Sequence, residues 1–67
     1  MRLGFIGFGE AASAIAAGLR EEGRNLAIAA YDVARGPLLT ERARRCGVVL
    51  KESLAELARS CDVILSL

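Results

Sequence analysis

The run Arg2-Leu3-Gly4-Phe5-Ile6-Gly7 stops at a glycine, and a helical pattern opens three residues later at Glu10. That junction constrains the fold more than any other feature of the chain. An apolar run without alternation is the mark of a strand buried on both faces, hence of a parallel sheet covered by helices. The strand feeds directly into Gly7-Phe8-Gly9-Glu10-Ala11-Ala12, which leaves room only for a tight turn before the helix.

The rest of the chain repeats the alternation. Glu10 to Glu22 places Ala12, Ile15, Ala16 and Leu19 on one apolar stripe, and Gly23 is the expected C-terminal cap. Leu26 to Tyr31 is a second strand, despite three alanines that favour strands poorly. Gly36-Pro37 punctuates, and Pro37 to Arg45 is a short helix whose polar face carries Glu41, Arg42, Arg44 and Arg45. Gly47 ends it, and Val48-Val49-Leu50 is a third strand. Ser53-Leu54-Ala55-Glu56 is a capping-box pattern opening a helix through Arg59, and Asp62 to Leu67 is a fourth strand. Strands alternating with helices imply parallel pairing and right-handed crossovers. The predicted fold class is α/β: a Rossmann-type doubly wound parallel sheet, incomplete, with its first four strands in the order 3-2-1-4 and three helices. Residues 1–67 are accordingly read as the N-terminal part of a dinucleotide-binding domain. The remainder of that domain and a C-terminal substrate and dimerisation domain are expected beyond Leu67. The segment Val63 to Leu67 then presents an apolar edge, so the 67 residues alone are expected to aggregate, pair through that edge or stay partly molten.

Composition removes several classes of function. Nine basic and eight acidic residues leave a net charge of +1, a poor surface for nucleic acid. Three aromatic residues provide no stacking platform. With no His and only Cys46 and Cys61, a zinc site lacks ligands. The two cysteines form no CxxC motif and read as reduced, buried thiols of a cytoplasmic protein. Charged residues interrupt every window of the roughly 20 apolar residues that a membrane span needs, and the N-terminus lacks the pattern of a signal peptide.

Gly7 to Ala12 fits G-x-G-x-x-A between a strand and a helix, the context the dinucleotide fingerprint requires. Gly7 permits the tight turn, Gly9 lets backbone approach a pyrophosphate, and Ala12 lets helix and strand pack closely. The N-terminal amides and positive dipole end of the first helix then face the phosphates. Phe8, Glu10 and Ala11 complete the loop. Glu10 suits the helix dipole but not an adjacent pyrophosphate, and has no catalytic role. Asp32 lies 23 positions after Gly9, near the spacing of about 20 expected of the ribose-binding acid. Its carboxylate accepts from ribose hydroxyls and repels a 2′-phosphate, which favours NAD over NADP. Arg35, just past the second strand, works the other way by offering a partner to a 2′-phosphate or to adenine. Arg42, Arg44 and Arg45 read as solvated charges. Leu65, Ser66 and Leu67 end the fourth strand, where strand carboxyl ends border the ligand crevice. The plainer reading of these residues is a tight βα turn followed by a solvated aspartate.

The segments Leu3 to Ala16, Tyr31-Asp32 and Leu54 to Leu65 resemble the N-terminal NAD-binding domain of the β-hydroxyacid dehydrogenase superfamily. That group includes 6-phosphogluconate and 3-hydroxyisobutyrate dehydrogenases. The stretch Gly7 to Ile15 resembles a 6-phosphogluconate dehydrogenase-like branch. The resemblance implies a phosphate loop on Gly7 to Ala12, a ribose contact on Asp32, and a nicotinamide dinucleotide as partner. It also implies a small hydroxy-acid substrate and a homodimer for the full-length protein. The superfamily's catalytic lysine lies downstream. The single lysine here, Lys51, sits in no such motif, so the segment itself holds no catalytic residue. The leading reading is the cofactor-binding portion of an oxidoreductase that transfers hydride between a hydroxy acid and a nicotinamide. A pyrroline-5-carboxylate reductase-like NADP enzyme and a non-catalytic nucleotide-binding module are the alternatives.

Overall fold

A computed structural model describes residues 1–22, 26–34 and 36–67. The elements are β1 (Arg2–Ile6), α1 (Glu10–Glu21), β2 (Ala27–Tyr31), α2 (Pro37–Cys46), β3 (Val48–Leu50), α3 (Leu54–Ser60) and β4 (Val63–Ser66). The four strands form one parallel sheet in the order β3-β2-β1-β4, with β1 and β2 central. The predicted fold class and strand order are those observed. The expected cap Gly23 lies outside the described residues. No helix of the described residues is long and apolar enough to cross a membrane.

Local chemistry explains the boundaries. Gly47 closes α2 in the left-handed conformation (φ 67°, ψ 36°), which a side chain makes costly. Ser53 caps α3 by accepting a hydrogen bond from Glu56 N–H at 3.1 Å. Arg20, from the last turn of α1, donates to the carbonyls of Leu26, Cys46 and Gly47 at 2.7, 3.3 and 2.7 Å. One guanidinium thus ties the end of α2 and the approaches to β2 and β3. At the same end of the sheet, Arg2 pairs with Asp62 at 3.0 Å, and Asp62 N–H donates to the Arg2 carbonyl.

Alternation along β1 divides the interior. Leu3 and Phe5 point to the face covered by α1 and α2, where they join Phe8, Ala12, Ala16, Ile28, Ala30, Leu39, Ala43 and Val48 in the main core. Phe5 and Phe8 are completely buried, with ring centroids 6.0 Å apart and planes inclined by 57°, a favourable aromatic geometry. Gly4 points to the opposite face, beneath Cys61 and Leu57. The predicted stripe on α1 is partly realised. Ala12 and Ala16 are buried and Leu19 packs against the core, while Ile15 is 40% exposed. Ile15 falls on the flank of that arc, and the two alanines bring the helix axis close to the sheet.

Candidate functional site

The carboxyl ends of β1, β2 and β4 meet around a crevice of about 200 Å³ lined by Ile6, Gly7, Tyr31, Asp32, Val33, Ser66 and Leu67. Residues from three separate stretches of sequence are brought together here. Gly7 begins the turn at φ +89°, a conformation natural to glycine, and its N–H donates to the Tyr31 carbonyl at 2.7 Å. That bond continues the β1–β2 pairing to the rim of the crevice.

Asp32 immediately follows β2 and is half-buried. Its Oδ2 accepts from Phe8 N–H at 2.8 Å and its Oδ1 from Ala34 N–H at 2.9 Å. The acid is therefore a structural part of the turn between β1 and α1 as well as a charge at the crevice. Phe8 contributes only backbone to this side, since its ring is in the core.

Gly9 is the N-cap of α1 in an extended conformation and supplies no capping side chain. A Cβ built there meets nothing within 4 Å, so neither backbone conformation nor internal packing demands a glycine at this position. The amides of the first turn that follows have no intrahelical partners, as at any helix start. Ala12 is buried against the sheet and Ala11 is exposed. Glu10 is exposed and lines a separate groove of about 630 Å³ between α1 and α2, together with Arg42, Arg45 and Cys46.

Ser66 and Leu67 line the crevice, and the Leu67 carbonyl oxygen lies 3.9 Å from a Cβ built on Gly7. Leu65 pairs with Phe5 in register on the strand behind and is 37% exposed. Arg35 lies outside the described residues. Arg42 departs from its sequence reading as a solvated charge: it is half-buried and donates to the Phe8 carbonyl at 3.3 Å. Folding brings α2 alongside the turn 34 positions earlier, a contact that no local pattern announces. Arg44 and Arg45 are exposed and pair with Glu41 at 2.6 and 3.8 Å.

A parallel sheet in the order 3-2-1-4, a glycine turn into a helix, and an acid at the end of β2 define a Rossmann-class dinucleotide-binding domain. The particular family follows from sequence: the model of the family described as "NADP oxidoreductase coenzyme F420-dependent" matches residues 2–66, and the chain belongs to that family. Among solved structures it is similar to the conserved protein MTH1747, of unknown function, itself described as structurally similar to 3-hydroxyacid dehydrogenases. That match has 39% identity and a TM-score of 0.76, covering 100% of this chain and 24% of the other. It is also similar to D-mandelate dehydrogenase of Rhodotorula graminis, with 30% identity and a TM-score of 0.78, covering 98% of this chain and 18% of that one. The chain thus spans a quarter or less of either structure. No curated protein sequence matches it significantly. The domain thus has the fold of these two structures and the sequence of an NADP oxidoreductase family, which makes it a pyridine-nucleotide-binding Rossmann domain.

Proposed function

We propose that this chain is the N-terminal, NAD-binding part of a longer oxidoreductase that transfers hydride between a small hydroxy acid and a nicotinamide. The observation that carries the cofactor choice is the Asp32 carboxylate at the rim of the crevice, oriented by Phe8 N–H and Ala34 N–H. A carboxylate there accepts hydrogen bonds from adenosine ribose hydroxyls and repels a 2′-phosphate. The open space above Gly9 and the uncapped first turn of α1 fit a pyrophosphate approaching backbone amides. In this reading Gly7, Phe8, Gly9, Glu10, Ala11 and Ala12 form the phosphate loop. Asp32 and Arg35 flank the adenosine, while Leu65, Ser66 and Leu67 border the ribose side. Bound nicotinamide supplies the hydride acceptor or donor, and the group that handles the proton belongs to residues beyond this segment. The full-length protein is read as a cytoplasmic homodimer of the 6-phosphogluconate dehydrogenase-like branch. Cys46 and Cys61, unbonded to each other, agree with a reducing compartment.

A second reading, a pyrroline-5-carboxylate reductase-like NADP enzyme, is favoured by the NADP in the description of the matched family. Fluorescence titration of the full-length protein with NADH and NADPH separates the two. The wild-type protein is expected to prefer NADH by about tenfold or more, the scale on which a specific polar contact discriminates between ligands. Asp32→Asn keeps an acceptor for Phe8 N–H while removing the charge, and should narrow the gap chiefly by improving NADPH. A wild-type preference for NADPH would select the second reading.

A further inference from the structure

The Phe8 residue is fixed from three directions. Its ring is fully buried against Phe5, its N–H is held by Asp32 from the end of β2, and its carbonyl is held by Arg42 from α2. The Phe8–Gly9 peptide is trans, so its carbonyl and the following N–H point in opposite directions. Drawing the carbonyl toward Arg42 therefore turns the Gly9 N–H away from α2. Gly9 is also the position where an added Cβ would meet no atom within 4 Å beyond its chain neighbours, at the start of α1. We propose that Arg42 is a positioning residue of the phosphate loop: by holding the Phe8 carbonyl, it aims the Gly9 amide at a pyrophosphate oxygen of the dinucleotide. The inference rests on the loop being the pyrophosphate site, as read above.

Two consequences follow from the geometry. Arg42 acts through a peptide plane and makes no direct contact with the ligand, so its influence is confined to ligands that carry the pyrophosphate. Asp32 and Arg42 hold the N–H and the carbonyl of one residue whose ring is anchored separately in the core, so loss of Arg42 frees the carbonyl and leaves Asp32 in place.

The test is calorimetric titration of the full-length protein with ADP-ribose and with adenosine, which lacks the pyrophosphate. Arg42→Met is expected to weaken ADP-ribose about three- to tenfold, the range of one hydrogen bond, and to leave adenosine unchanged. Arg42→Lys keeps the positive charge within a Debye length of the loop, so its salt dependence of ADP-ribose binding should remain that of the wild type. Should Arg42→Met fail to fold, Arg42→Lys, with a single-pronged donor, carries the same expectation with a smaller loss. Equal weakening of both ligands, or no weakening of ADP-ribose, overturns the role. A wild-type protein that binds neither ligand removes the nucleotide reading itself, and the proposal with it.

Discussion

The two faces of the sheet are built to different depths. The face under α1 and α2 carries Leu3, Phe5, Ile28, Ala30 and Val48 from the strands, met by Phe8, Ala12, Ala16, Leu39 and Ala43. The face under α3 carries Gly4, with Ala29 and Val49 beside it in register. There Leu57 is the large side chain that is completely buried, and Val49 stays 58% exposed. The deep face includes Phe8, so the turn that opens the candidate site is anchored in the larger core. The shallow face is closed by a helix of seven residues resting on a glycine. Precision at the loop is thus supplied by bulk burial on one side, while the other side depends on close approach.

The sharpest way to break this contrast is Phe5→Ala. The ring is fully buried at the centre of the deep face, and its loss should cost about 3–5 kcal/mol. In the full-length protein this should appear as a matching drop in unfolding free energy, read from the denaturant midpoint followed by circular dichroism. Leu57→Ala on the shallow face should cost about 2–3 kcal/mol, because a short helix resting largely on one side chain can settle into the gap. Equal losses for the two variants would mean that the faces are energetically alike.

Gly4→Ala tests close approach directly. The added Cβ would stand 2.7 Å from Cys61 Sγ and 3.3 Å from Leu57 Cδ1, and overpacking of this kind costs roughly 1–3 kcal/mol. Combining it with Cys61→Ala should recover part of the loss, a coupling that a double-mutant cycle measures. Additive effects would remove the contact from the account. Gly9→Val is the converse case. The added Cβ meets no atom within 4 Å beyond its chain neighbours, so stability should change by no more than about 1 kcal/mol, the scale of an N-cap substitution. Dinucleotide affinity should fall more than about tenfold, because the branched side chain occupies the phosphate approach. Unchanged binding would detach the loop from the ligand.

The smallest expected effect is a pH dependence at the edge of the sheet. Hydrogen bonds from the Arg2 side chain and backbone hold the Asp62 carboxyl below the usual range. A lowered folded-state value means that this stabilisation is present above the unfolded carboxylate value of about 3.9 and is lost as pH falls through the folded one. Asp62→Asn should therefore flatten the acid limb of the stability curve slightly, since the pair is solvent-exposed. Glu41, held low beside Arg44, titrates in the same direction, so Glu41→Gln serves as the parallel control. An acid limb unchanged in Asp62→Asn would show that the pair contributes nothing.

By itself, the sequence determined the elements, their order and the turn at Gly7. Those features rest on short-range causes: an unbroken apolar run, a helical stripe, a proline at a helix start, and a glycine where φ is positive. Val48-Val49-Leu50 was legible as a strand to the residue, because Gly47 ends the preceding helix and Lys51 begins a polar turn. Asp32 was legible as a charge at the end of β2, but its grip on Phe8 N–H, 24 positions away, was not. The tertiary structure alone decided that Phe8 turns its ring inward and leaves its peptide to Asp32 and Arg42. It alone decided that Arg20 gathers three carbonyls, that Arg42 reaches the turn, and that Ile15 remains at the rim of its helix. The physical reason is common to all four. Each depends on which elements lie side by side after a parallel crossover, and a crossover joins residues that local periodicity treats as unrelated.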